Sequence, residues 1–234
     1  PGTFQRFVYQ IHSLGKILPL VEWAFIFAPI LFHGILGVVI IRGGLSNAGR
    51  YPYANNIRYT LQRASGVIAL LFIVWHVFHM HGWFHFDAWL QNVVEPLGGA
   101  QFKPYSAAST AALAMQGFLV PFLYAIGLIA CVFHLANGLW TMGITWGIWT
   151  SPAAQKRANG ICSMLGIGLL VLSMSALYGV ITVDRDAAAT VEDAMYQAKT
   201  ESGEIEANPH KRSHGDESDS DALADGRLSP CCAG

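Results

Sequence analysis

Charge is what this sequence has least of. Only 12% of its 234 residues are Asp, Glu, Lys or Arg, about half the soluble average of roughly 25%, while 53% are apolar. Acidic groups are scarcest where the chain is most apolar: residues 1–183 hold three (Glu22, Asp87, Glu95) beside nine Lys or Arg. So few charges cannot solvate a globule of that size, which excludes an ordinary cytosolic enzyme. Cysteine is scarce too. Of four, Cys131 and Cys162 lie in apolar runs and Cys231 and Cys232 are adjacent, so no disulfide framework is written here. There is no Gly-rich dinucleotide loop, no cysteine set for an iron–sulfur cluster, no signal peptide and no internal repeat.

What is present is long apolar runs. A bilayer core of about 30 Å takes roughly 20 apolar residues in helical form. Four segments qualify: Ile17 to Ile41, Tyr59 to Met80, a stretch within Ala111 to Trp146, and Asn159 to Val183. The third is longer than a span needs and is expected to tilt or project. Pro29 and Pro121 fall inside spans. The runs do not alternate as barrel strands would. The fold expected is all-α: a transmembrane helix bundle over 1–183 and a polar tail over 184–234. That tail carries twelve Asp or Glu against five Lys or Arg and is expected to be disordered, apart from a short helix near Thr190 to Lys199.

Basic residues mark the cytoplasmic side. Arg42, Arg50 and Arg58, with Arg63 just inside the next helix, put loop 42–58 there, and Lys156 and Arg157 put loop 147–158 with it. The loop at 84–108 and the tail then lie outside. This scheme also puts the N-terminus outside, although it carries Arg6 and Lys16. An apolar helix upstream of Pro1 is therefore expected.

Three histidines, His33, His76 and His134, sit deep in spans, where ionisable groups are costly and functional by default. Helical rise places His33 about 13 Å from Arg42 and His134 about 18 Å from Trp146, so the two share a level. His76 lies about 20 Å from Arg63, in the outer half. Two imidazoles facing across a helix bundle suit the axial positions of haem. The C-x-x-C-H of covalent attachment is absent, so the haem would be b-type. Gly34, Gly37, Gly127 and Gly138 flank the ligands and admit either a macrocycle or close helix packing. His79, His81 and His85 read as interfacial imidazoles in a Trp-rich rim. No ligand role is expected for His12, His210 or His214.

LQRASGVIALLFIVWHVFHMHG (61–82), CVFHLANGLWTMGITWGIWTSP (131–152) and LVEWAFIFAPILFHGILGVVI carry a resemblance. They are similar to the succinate dehydrogenase/fumarate reductase cytochrome b subunits of the single-chain, five-helix, di-haem type. The resemblance covers about residues 10–183. It implies that His33 and His134 ligate the haem nearer the cytoplasm. His76 would be one ligand of an outer haem, whose partner belongs to a helix preceding this sequence. It also implies a multi-pass protein of the bacterial inner membrane, partnered by a flavoprotein subunit, an iron–sulfur subunit, lipid and a quinone, with menaquinone suggested. No nucleic acid is expected. Arg63 is a candidate for a haem propionate or for snorkelling to headgroups. Glu22 is a candidate for proton exchange with quinone. Asn137 and Trp140 are candidates to orient His134 or pack on the macrocycle. The rival readings are the cytochrome b anchor of another respiratory enzyme, or a haem-free transporter relaying protons through histidine.

Overall fold

The computed structural model describes residues 1–44, 48–208 and 211–212. His210, His214, Cys231 and Cys232 lie outside the described residues. Among those described there is no strand, only helix and connection. In chain order α1 is Gly2–His12, followed by a 3-10 turn (Gly15–Ile17), α2 (Leu18–Glu22), a π turn (Trp23–Phe27) and α3 (Ala28–Arg42). Then come α4 (Ala54–His81), α5 (Asp87–Trp89) with a π turn (Leu90–Val94), and a 3-10 turn (Pro104–Ser106). The chain continues through α6 (Ala107–Ala114), α7 (Leu119–Thr145), α8 (Pro152–Thr182) and α9 (Arg185–Glu201). Two compact units divide it. One comprises Pro19–Phe78 and Gly117–Ile181; the other comprises Pro1–Leu18, His79–Gln116 and the chain from Thr182.

Four helical stretches are long and apolar enough to cross a membrane: Gly15–Arg42, Ala54–His81, Leu119–Thr145 and Pro152–Thr182. Each exceeds the roughly 20 residues that a bilayer core requires. Their large side chains point outward, as Phe25 (77% exposed), Leu172 and Ile167 do, which is the pattern of a surface facing lipid rather than water. The first stretch bends through its π turn, where Ala28 N–H bonds five residues back to the carbonyl of Trp23. Pro29 follows directly. Having no N–H, and a ring that would clash with the carbonyl four residues earlier, it is the cause of the irregular turn.

Three expectations need correction. Ala111 to Trp146 is not one long helix. It breaks after Ala114, and Gly117, at φ 77°, makes the left-handed turn into α7. Pro121 interrupts nothing, because it sits in the first turn of α7, where N–H groups have no partner within the helix. The tail is not disordered from its start. Asp184 caps α9 by accepting from the N–H groups of Asp186 and Ala187, and Ala188, Glu192 and Tyr196 form a buried face at four-residue spacing.

The reason for that order lies in the second unit. Glu192 is fully buried, and its carboxylate accepts from Ala108 N–H (2.5 Å), Ser109 N–H (3.2 Å) and the Ser109 hydroxyl (2.5 Å). Gln5, equally buried, accepts from Ala107 N–H at 2.9 Å and donates to the Pro104 carbonyl at 2.8 Å. The donors at the start of α6 thus meet side chains from α1 and α9, and a buried carboxylate meets the positive end of a helix. Composition alone counts Glu192 as a charge needing water, and cannot see that α6 replaces the water. Beside this contact, Tyr105 packs between Tyr9 and Tyr196 with tilted rings, at centroid distances of 5.3 and 5.6 Å. Burial is the main cause that pushes the Tyr9 phenol up to about 12. Burial, then Lys211, lowers His12; burial, then Lys103, lowers His85, despite an opposing hydrogen bond to the His81 backbone.

Candidate functional site

The site grows out of two facing stripes. On α4 the positions Arg58, Gln62, Ser65, Ala69, Phe72, His76 and His79 follow alternating steps of four and three, so they share one face. On α7 the buried Tyr124, Gly127, Ala130 and Asn137 share a face with His134. The stripes meet antiparallel. His76 pairs with Tyr124, Phe72 lies over Gly127, Gly66 faces His134, and Gln62 faces Gly138.

His33 of α3 and His134 of α7 come together, with ring centroids 6.0 Å apart. That is close to the separation of two imidazoles bridged by one metal at about 2 Å from each nitrogen. His134 Nδ1 lies 3.1 Å from the main-chain oxygen of Gln62, which can only accept. A proton on Nδ1 satisfies that contact and leaves the Nε2 lone pair open, the tautomer a metal-binding histidine needs. His33 is exposed on its helix and His134 half-buried. These two residues fit the axial positions of haem by separation and, at His134, by tautomer.

A polar network backs His134. Gln62 Nε2 passes 3.2 Å from Nδ1 and donates to the His134 carbonyl at 3.1 Å. Asn137, 3% exposed, donates to Gln62 Oε1 at 2.7 Å and accepts from Arg58 Nε at 2.8 Å. Arg58 also reaches Asn159 Oδ1 on α8 (2.7 Å), and its guanidinium lies 3.9 Å over Trp140. Trp140 Nε1 donates to the Gln155 carbonyl, and Trp149 donates to the Trp140 carbonyl. A Cβ at Gly66 would lie 2.7 Å from His134 Cε1, so only glycine lets the ring approach α4.

The other expected residues fall elsewhere in the unit. Arg63 donates to the Gly44 carbonyl at 2.6 Å and stacks 4.2 Å from the centre of Tyr59. His76 Nδ1 lies 3.0 Å from Tyr124 Oη, its ring stacked on Phe72. Glu22 closes α2, half-buried, directly before the π turn. Of the flanking glycines, a Cβ would strike Leu70 at Gly34 (2.8 Å), Phe72 at Gly127 (2.2 Å) and Gln62 at Gly138 (3.2 Å). Helix packing accounts for those three; at Gly37 a Cβ would meet no atom within 4 Å. In the other unit, His81 and His85 pack edge to face at 4.3 Å. Among the described residues no group of three or more His, Cys, Asp or Glu is arranged to hold a metal ion.

Sequence reasoning missed Gln62 and Arg58 as members of the site. Arg58 was assigned to a loop, yet α4 begins at Ala54 and carries it into the bundle. The signal was available: Arg58, Gln62 and Ser65 recur at steps of four and three, on the face that continues to His76.

The chain is 30% identical over 156 residues to the succinate dehydrogenase cytochrome b558 subunit of Bacillus subtilis (strain 168), covering 67% of this chain and 69% of that protein. No family model and no solved structure matches it.

Proposed function

The chain belongs to the family of succinate dehydrogenase cytochrome b subunits, and from that footing we propose that it is the membrane anchor and electron conduit of a succinate:quinone oxidoreductase. Its partners would be a flavoprotein subunit, where the dicarboxylate chemistry happens, and an iron–sulfur subunit. The observation that carries the reading is the His33–His134 pair at 6.0 Å, with His134 Nδ1 3.1 Å from the Gln62 main-chain oxygen. Those two side chains would hold a b-type haem. Bound there, the haem supplies reversible one-electron transfer between the iron–sulfur subunit and a membrane quinone, with menaquinone favoured.

The protein's share is orientation and a dry path. His134 presents Nε2 because Nδ1–H is held by the Gln62 carbonyl, and α4 keeps that carbonyl in place. Arg63 keeps N–H groups beyond the one given to Gly44, and these serve a haem propionate. Tyr124 steadies His76, which would be one ligand of a second haem. Glu22 would exchange protons with quinone on the outer side, with the connections that follow α3 and α7 on the cytoplasmic side.

A reduced-minus-oxidised spectrum of the chain purified from membranes tests the reading. A b-type absorbance is expected, and His33→Ala or His134→Ala should each abolish the component the pair holds. A wild-type chain without haem absorbance would leave a proton relay through buried histidines in its place. Co-purification of a flavoprotein separates the succinate system from other respiratory cytochromes.

A further inference from the structure

Gln62 grips His134 twice, its main-chain oxygen on the ring and its side chain on the His134 carbonyl. The direction of every bond behind that grip is fixed. Arg58 can only donate, so Asn137 must turn its oxygen toward it. The Asn137 nitrogen then faces Gln62 and donates to Oε1. Gln62 in turn must present its nitrogen to α7. Neither amide can flip without setting two donors or two acceptors face to face. Arg58 is itself held, by Asn159 and by the face of Trp140. Around the His134 ring, Gly66 leaves no spare space and the Ser65 hydroxyl approaches Nδ1 to 3.5 Å.

We propose that Gln62, locked by Asn137 and Arg58, is the positioning residue that sets the angle of the His134 ring. The proposal rests on the haem reading above. A one-way chain of donors that starts at a fixed charge polarises each bond in turn, so it resists rotation better than separate bonds would. Its end point is the main chain of the ligand. With the carbonyl of His134 held to α4, rotation of α7 about its own axis is stopped at the level where the ring angle matters. Partners of this kind are worth about 10–100-fold in affinity at metal sites.

The test compares the full-length chain with Gln62→Leu, which keeps the bulk and the backbone oxygen but not the amide. Gly127→Ala serves as control, since it disturbs the same helix pair at Phe72 without touching His134. Haem release and the low-spin electron paramagnetic resonance signal, which reports ligand-ring angle, are the readouts. Gln62→Leu is expected to shift and broaden the component held by His33 and His134 and to speed release of that haem about tenfold or more, while Gly127→Ala leaves that component in place. An unchanged signal in Gln62→Leu, or an equal shift in both variants, overturns the positioning role while the haem reading stands. A wild-type chain with no low-spin signal overturns the haem reading and this proposal with it. Should Gln62→Leu not fold, Arg58→Met decides from the far end of the chain: a smaller shift in the same sense supports the proposal, and no shift overturns it.

Discussion

At position 66 helix α4 has no room for one methyl group. A Cβ there would lie 2.7 Å from His134 Cε1, and the ring cannot retreat while Gln62 holds its Nδ1. Gly66→Ala is therefore expected to cost about 1–3 kcal/mol, the usual range for overpacking, and to weaken haem retention. Thermal melts read alongside the haem absorbance would check both. At such residues the sequence was only partly readable. Depth along two helices was enough to pair His33 with His134, because helical rise is regular. Gln62 and Arg58 act through bonds to a helix more than seventy residues away, and nothing local in the chain announces those partners. Likewise, three of the four glycines that suggested room for a macrocycle proved to be where neighbouring side chains press in.

Elements were more legible where lipid sets the rule. A bilayer demands long apolar helices, so all four spans could be read from composition, with their ends within one residue and their starts off by two to eight. The errors came where the rule is different. Ala107–Ala114 is as apolar as a span, yet it belongs to the unit outside Pro19–Phe78 and Gly117–Ile181, and one left-handed glycine separates it from α7. Its order depends on Glu192. Glu192→Ala would leave the buried Ala108 amide without this acceptor, at about 1–3 kcal/mol. Faster hydrogen exchange at residues 107–110, with the α7 amides unaffected, is the expected result. At the other irregular element, Pro29→Ala returns an N–H where the proline has none, and the π turn at Trp23–Phe27 is expected to tighten toward α-helix. Slower amide exchange at residues 27–30 would show it.

For the molecule as a whole, the unit built from Pro1–Leu18, His79–Gln116 and the chain from Thr182 has its own pH window. Tyr9 is raised from 10.0 to about 12 in the fold, so the folded state holds that proton more tightly. The stability this gives is complete below pH 10 and is lost as pH rises from 10 toward 12. His12 and His85 are lowered from 6.5, so their contribution is present above pH 6.5 and is lost as pH falls below it. Limited proteolysis across pH should find α9 cut slowly between these bounds and faster on either side. A protease profile flat from pH 5 to 11 would contradict it.

Because the first turn of α6 is closed by Gln5 from one side and Glu192 from the other, this short helix cannot be finished in the order in which it is synthesised. The ribosome makes Ala107–Ala114 and then adds both α7 and α8 before Glu192 emerges. Until then the Ala108 amide lacks the acceptor that Glu192 brings. The contact that orders the start of α6 is thus completed only by a residue that follows all four spans.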